Sequence, residues 1–221
     1  MTFDFAQQTG PLNLGQPKLV SLALAVMAFA ATWIHPRWPV EQALQSSLTV
    51  AALLWLVLHA RRWRMRDGEF LAASAFIALH CVAARWLYSY VPYDAWCRQW
   101  LDWSPQLAFG WKRNHFDRLV HLMYGLCLLP AVHTYLRERW PLNRNQAFTL
   151  AVMTVMCTSL IYEWGEWAVA LTLSPAQAEA YNGQQGDIWD PHMDMLLATI
   201  GALLSWPFLE RARPARRTEL A

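Results

Sequence analysis

Residues Ala147 to Leu173, AFTLAVMTVMCTSLIYEWGEWAVALTL, form an apolar run whose only charged residues, Glu163 and Glu166, lie near its far end. About 20 apolar residues cross a bilayer core as a helix rising 1.5 Å per residue, and this run exceeds that length. Five further runs come close to it: Lys18 to Ile34, Val40 to Ala60, Phe70 to Tyr90, Phe116 to Tyr135 and Ile188 to Leu209. Hydrocarbon supplies no hydrogen-bond partners, so each run must satisfy its own backbone, which means a helix. The connections carry breakers at His35-Pro36, Pro92, Pro105, Pro141 and Pro175. The expected fold is all-α, a polytopic bundle of six transmembrane helices forming a single domain over residues 1–221.

Composition agrees. Of 221 residues 56% are hydrophobic and 15% charged, against about 25% charged in an average soluble domain, which argues against a water-soluble globule. Fourteen Trp suit a chain that meets the membrane boundary repeatedly, because an indole is apolar in body and polar at one edge. A net charge of +2 implies no nucleic-acid-binding domain. Cys81, Cys97, Cys127 and Cys157 form no C-x-x-C pair, so neither a structural disulfide nor a thiolate zinc site is expected. MTFDFAQQTGPLNLGQPKLV has no basic leader and no small-residue cleavage site, so no removable signal peptide is read.

Orientation follows from Arg and Lys. Arg61, Arg62, Arg64 and Arg66 lie between the second and third runs. Arg137, Arg139 and Arg144 lie between the fourth and fifth, and Arg211, Arg213, Arg216 and Arg217 in the tail. With Lys18 they share one face of a six-helix bundle, which the positive-inside rule assigns to the cytoplasm together with both termini and the basic tail, residues 210–221. The opposite face carries the connection 91–115, where Tyr93, Trp96, Trp100 and Trp103 alternate with Asp94, Arg98 and Asp102; an aromatic outer loop or interfacial helix is expected. Residues 174–186 form the other outer loop.

Three polar groups interrupt the apolar runs, and ionisable residues there mark a relay, a pathway or a site. NHFDRLVHLMY, residues 114–124, sets Asp117 and His121 four apart on one helical face. YEWGEW, residues 162–167, sets Glu163 and Glu166 three apart. GQQGDIWDPHMDM, residues 183–195, carries Asp187, Asp190, His192 and Asp194, whose aspartates make one stripe if the helix includes Gly186. The fourth run enters from the outer face, the fifth ends there and the sixth begins there, so all three groups reach one depth. Arg85 and Tyr88, at the outer end of the third run, are candidate lining residues.

Six carboxylates in a partly dry cavity raise one another's pKa and need positive charge, from protons, from Arg85 and Arg118, or from cations. Carboxylates with an imidazole suit Mg²⁺, Mn²⁺, Fe²⁺ or Zn²⁺. The candidate ligands are Asp117, His121, Glu163, Glu166, Asp187, Asp190 and Asp194, and the candidate catalytic groups are His192, Arg118, Arg85 and Tyr88. Structural readings compete: Asp117 with Arg118 or His121 as an ion pair, Glu163 and Glu166 reaching interfacial water, Asp187 and Asp190 as helix caps. His80 reads as a hydrogen-bonded core histidine, and Gly125, Gly165 and Gly201 as close helix contacts.

WKRNHFDRLVH, YEWGEW and QGDIWDPHMDM resemble the YjdF-type family of bacterial inner-membrane proteins, over almost the whole chain. That resemblance implies a multi-pass inner-membrane protein and no particular chemistry. Asp117, His121, Glu163, Asp190, Asp194 and Gly201 also look like the shorter pattern of the VanZ-like membrane family, although Ala198 stands where such proteins often carry Asn.

The reading that follows is a metal-dependent membrane enzyme acting on a lipid or lipid-linked substrate, with hydrolysis the more economical chemistry. A di-iron lipid oxidase or desaturase, a proton- or divalent-cation-coupled transporter, and a non-catalytic membrane binding protein are the alternatives. No G-x-S-x-G or Gly-rich phosphate loop is present.

Overall fold

The structure is a computed structural model that describes residues 14–63 and 65–209. Arg64 and the tail arginines Arg211, Arg213, Arg216 and Arg217 lie outside the described residues, as does the basic segment 210–221. Among the described residues there are nine α-helices and no strand: α1 (Gln16–Thr32), α2 (Pro39–Arg62), α3 (Asp67–Arg85), α4 (Tyr93–Leu101), α5 (Pro105–Phe109), α6 (Phe116–Arg139), α7 (Arg144–Ala170), α8 (Pro175–Asn182) and α9 (Asp190–Leu204). A 3₁₀ turn, Trp206–Phe208, follows α9.

Each of the six apolar runs forms the body of one helix. Four helices, α2, α3, α6 and α7, are long and apolar enough to cross a membrane; α1, at 17 residues, and α9, at 15, are shorter. Proline in the first turn opens α1, α2 and α9, where its missing N–H costs nothing. The side chain of Asn143 caps α7 by accepting from Gln146 N–H at 2.9 Å. The connection 91–115 folds into α4 and α5, and Ser104 joins them by donating to Asp94 at 2.8 Å. The connection between α7 and α9 contains α8.

Polarity is distributed inside out. The buried face of α2 carries Gln42, Gln45, Ser46 and Thr49, while Val40, Leu44, Leu48, Leu54 and Leu58 point outward. Along α7, Ala147, Ala151 and Ser159 are buried and Met153, Met156, Ile161 and Trp164 exposed. Water would drive the opposite arrangement. Hydrocarbon outside makes apolar exposure costless and reserves the helix interfaces for small and polar side chains.

The helices α3 and α6 pack together at the centre. On one side α1 and α2 pack on α3; on the other α7 and α9 pack on α6 and on each other. The α6–α9 crossing is the closest. A Cβ added to Gly125 would lie 1.9 Å from the carbonyl oxygen of Ala198, and one added to Gly201 would lie 1.9 Å from that of Leu122. Gly165 has nothing within 4 Å of an added Cβ, so it is not a helix contact: it sits on the outward face of α7.

Contacts at the two ends fix the alternation of helix direction. At the basic end Lys18 donates to the Met65 carbonyl at 2.5 Å, Thr134 donates to the buried Glu69 at 2.6 Å, and Arg144 donates to the Trp206 and Leu209 carbonyls. At the other end Arg85 and Gln42 both donate to the Thr32 carbonyl, and Trp38 stacks on Tyr90. That end also gathers the starts of α6 and α9 and the end of α7.

Candidate functional site

Asp117 and His121 occupy the first two turns of α6, one turn apart, so both face α9 and α7. Their imidazole-to-carboxylate distance is 3.5 Å, and the Glu163 carboxylate of α7 lies 4.0 Å from the same ring nitrogen. From α9, Asp194 completes a group with Asp117 and His121 whose ligand atoms all lie within 4.8 Å of one another. All four side chains are buried. The Gly125–Gly201 crossing makes this possible, because Asp194 lies two turns from Gly201 and His121 one turn from Gly125, where the backbones nearly touch.

The imidazole stands 3.5 Å from Asp117 and 4.0 Å from Glu163, beyond the about 2.7–3.2 Å of a hydrogen bond. Ligand atoms around one cation bound at about 2.1 Å would stand about 3 to 4 Å apart, closer than the 4.8 Å that bounds this group. One Glu163 oxygen and one Asp194 oxygen are buried without a hydrogen-bond partner, as are side-chain atoms of Gln42, Gln45, Thr49 and Ser74 elsewhere in the bundle. Two carboxylates and an imidazole, with a third carboxylate adjacent, make an oxygen-rich set of the kind that holds Zn²⁺, Fe²⁺, Mn²⁺ or Mg²⁺.

The other acidic residues have different partners. Asp190, 2% exposed, lies 2.6 Å from Arg113 and 3.6 Å from Arg118. Asp187 lies 2.5 Å from Arg118 and 3.2 Å from Arg113. It does not continue the α9 stripe, because Gln185 and Gly186 both adopt positive φ, 52° and 80°, and break the chain direction before the helix begins. Asp187 instead accepts from Trp189 N–H at 3.0 Å, closing a local turn ahead of α9. The two arginines and two aspartates form a clamp over the outer side of the buried group. The Gln185 side chain reinforces it by accepting from the Asn114 backbone N–H at 2.8 Å and donating to the Asn114 carbonyl at 3.1 Å, while the Asn114 side chain donates to the Val91 carbonyl at 2.8 Å.

Of the remaining candidates, Glu166 is partly buried beside Tyr162, one turn beyond Glu163. Tyr88 is buried and bonded to His80 Nδ1 at 2.5 Å; it adopts a left-handed φ of 58°, a strained state for an aromatic residue. Arg85 is engaged with the end of α1 and does not join the cluster. His192 is exposed and packs against Trp189, because it lies on the face of α9 opposite Asp190 and Asp194. Sequence reasoning missed Arg113, whose partners lie more than 70 residues away, and Tyr162, whose ring lies 5.7 Å from that of His121. The position of Arg113 directly before Asn114 was the available signal.

Removing Arg113 takes the nearer partner from Asp190 and leaves Arg118 alone, at 3.6 Å. Arg113→Ala is expected to destabilise the protein by about 1–3 kcal/mol, less than the cost of a fully unpaired buried charge, and Asp190→Asn in the same chain should recover much of it. Thermal unfolding in detergent measures both. Hydrogen bonding from Trp189 N–H, then the Arg118 and Arg113 charges, hold the Asp187 carboxyl below its usual 3.8. Its contribution is therefore fully present above that value and disappears as pH falls through the lower, folded one. The melting difference between wild type and Asp187→Asn should be constant from pH 5 to 8 and vanish in strong acid; a difference that disappears already between pH 6 and 5 would contradict the clamp.

Comparison with known proteins places the chain. Residues 17–214 match the family described as Predicted membrane protein (DUF2238). The chain is similar to Inner membrane protein YjdF of Escherichia coli (strain K12), with 29% identity over 157 residues that cover 71% of each chain. No solved structure matches. A family match across almost the whole length, on a helical bundle with apolar outer faces, makes this chain a multi-pass inner-membrane protein belonging to the DUF2238 family.

Proposed function

We propose that the protein is a metal-dependent hydrolase acting on a lipid or lipid-linked ester at the outer leaflet of the inner membrane. The observation that carries this reading is the buried Asp117–His121–Asp194 group, with Glu163 against the imidazole. In this reading all six long and medium helices cross the bilayer with both termini cytoplasmic. Supporting it, Lys18, Arg66, Arg137 and Arg144 lie at one end of the bundle and the carboxylate site at the other.

Asp117, His121 and Asp194 would hold the cation, which supplies a polarised ester oxygen and a more acidic water. Glu163 is positioned to accept the proton of the attacking water and return it to the leaving oxygen as the ester bond breaks, so that one water is consumed for each alcohol and acid released. Glu166 and Tyr162 extend the polar wall. Arg118 meets an anionic headgroup by exchanging Asp187, its present partner.

Purified protein supplied in turn with Zn²⁺, Fe²⁺, Mn²⁺ and Mg²⁺ should release phosphate from phosphatidic acid or from a polyprenyl monophosphate. Glu163→Gln should lower that rate by about 10²-fold or more, the usual contribution of a general base, while keeping its metal. Absence of release from both substrates with every cation counts against hydrolysis.

A further inference from the structure

Two cavities lie one beyond the other between α2, α6 and α7, and their linings place them along one groove. The upper, about 210 Å³, lies beneath His121 and Tyr162 and is otherwise walled mainly by apolar residues, among them Leu48 and Ala52 of α2 and Phe76 of α3. The lower, about 670 Å³, continues towards the basic end between Leu54 and Leu58 of α2 and Thr154 of α7. Both have α6 as their floor. Val120, Tyr124 and Leu128 line the upper cavity, Val132 and Leu136 the lower, and these five follow one another at i+4 spacing. The floor is thus about 24 Å long at 1.5 Å per residue, a little less than the ~30 Å hydrocarbon core.

The walls stand on different supports: α2 packs chiefly on α3, and α7 on α6, α8 and α9. The groove between them faces the same surroundings as the exposed apolar side chains Leu54, Leu58 and Met153. What occupies it follows from those surroundings. A cavity lined by apolar side chains excludes water, and a groove open to the bilayer interior has hydrocarbon chain at hand to fill it. Its ionisable groups lie mainly towards the two ends, His121, Tyr162, Tyr88 and His80 above and His59 and Arg62 below, and between them the walls add the hydroxyls of Tyr124, Thr154 and Thr158 to a mainly apolar lining.

We propose that this groove holds one acyl chain of a membrane lipid, running from the carboxylate–histidine site towards the basic end. The proposal rests on the reading of that site as acting on lipid, and it names the part of the substrate that the protein grips. The chain lies over the α6 stripe, with the lipid's headgroup end brought beside Asp117, His121 and Glu163. The small Ala52 and the hydroxyl-bearing Thr158 leave the width that a linear chain needs.

The test is photo-crosslinking in nanodiscs containing phosphatidylethanolamine with a diazirine on one acyl chain, followed by mass-spectrometric mapping. Label should concentrate on residues 48–55 of α2 and 124–132 of α6, at least fivefold above the outward face of α7 at Leu150, Met153 and Met156. Ala52→Trp, which fills the upper cavity, should lower the groove label about tenfold. Equal labelling of the groove and the outward α7 face in the wild-type protein overturns the proposal without recourse to any variant. The walls rather than the carboxylates hold the chain, so Asp194→Asn should keep the groove label; its loss there also overturns the proposal. Groove label without lipid hydrolysis leaves the groove standing and removes the hydrolase reading alone.

Discussion

Replacing Gly125 or Gly201 by alanine is expected to destabilise the folded protein by about 3 kcal/mol or more. The added methyl at Gly125 would sit 1.9 Å from the Ala198 carbonyl oxygen and 2.6 Å from the Ala202 nitrogen, and that at Gly201 would sit 1.9 Å from the Leu122 carbonyl oxygen and 3.0 Å from the Leu126 nitrogen. All these neighbours are helix backbone, which cannot turn aside as a side chain can. The helices must separate, and the tightest contact of the bundle goes with them. Overpacking a core typically costs 1–3 kcal/mol and sometimes more; a backbone clash on both sides of one crossing puts the cost at about 3 kcal/mol or above. Size exclusion in detergent and thermal unfolding measure the loss. Gly165→Ala is the matched control: its methyl meets nothing within 4 Å, so the substitution should be neutral or gain up to about 1 kcal/mol through helix propensity. Equal behaviour of the three variants would contradict the crossing.

Asp194→Asn is expected to take bound metal from about one ion per chain to less than a tenth of that, with the fold retained. Asparagine keeps the volume and removes the charge, leaving Asp117 and His121 to hold the ion from a single helix. His121→Ala should act similarly, whereas Asp187→Asn should leave metal content unchanged, because Asp187 belongs to the arginine clamp. The same cluster predicts a chelator effect. Without a cation the buried carboxylates repel one another, so chelation should lower the melting temperature of the wild-type protein and have little effect on Asp194→Asn. Elemental analysis and melting curves on the same preparations report both quantities.

The helical bundle was legible because hydropathy is a property of each run by itself. Convergence of Asp117, His121, Glu163 and Asp194 was legible for a related reason: alternating helix directions place the start of α6, the end of α7 and the start of α9 at one level, and spacing of three or four residues fixes a face. What escaped depended on partners distant in sequence or on local backbone geometry. Gly125, Gly165 and Gly201 look alike in a sequence, and only the neighbouring helix distinguishes a contact from an outward position. Asp187 looked like part of the α9 stripe until the positive φ of Gly186 separated it from the helix. His192 shares a motif with Asp190 and Asp194 but falls on the opposite face. The burial of Gln42 and Gln45 in α2 was hidden because amides in an apolar run give no sign of which face they occupy. Glu69 gave none either, although its carboxylate joins α3 to Thr134 of α6 at the basic end.

The claim that a cation sits among Asp117, His121 and Asp194 is tested most directly by anomalous X-ray scattering from crystals of the wild-type protein, recorded across the manganese, iron and zinc edges. The account predicts a single peak bounded by those three side chains, its edge identifying the metal. A map without a peak there, from crystals saturated with each cation and with the His121 ring instead bridging Asp117 and Glu163 as an ion pair, would contradict it.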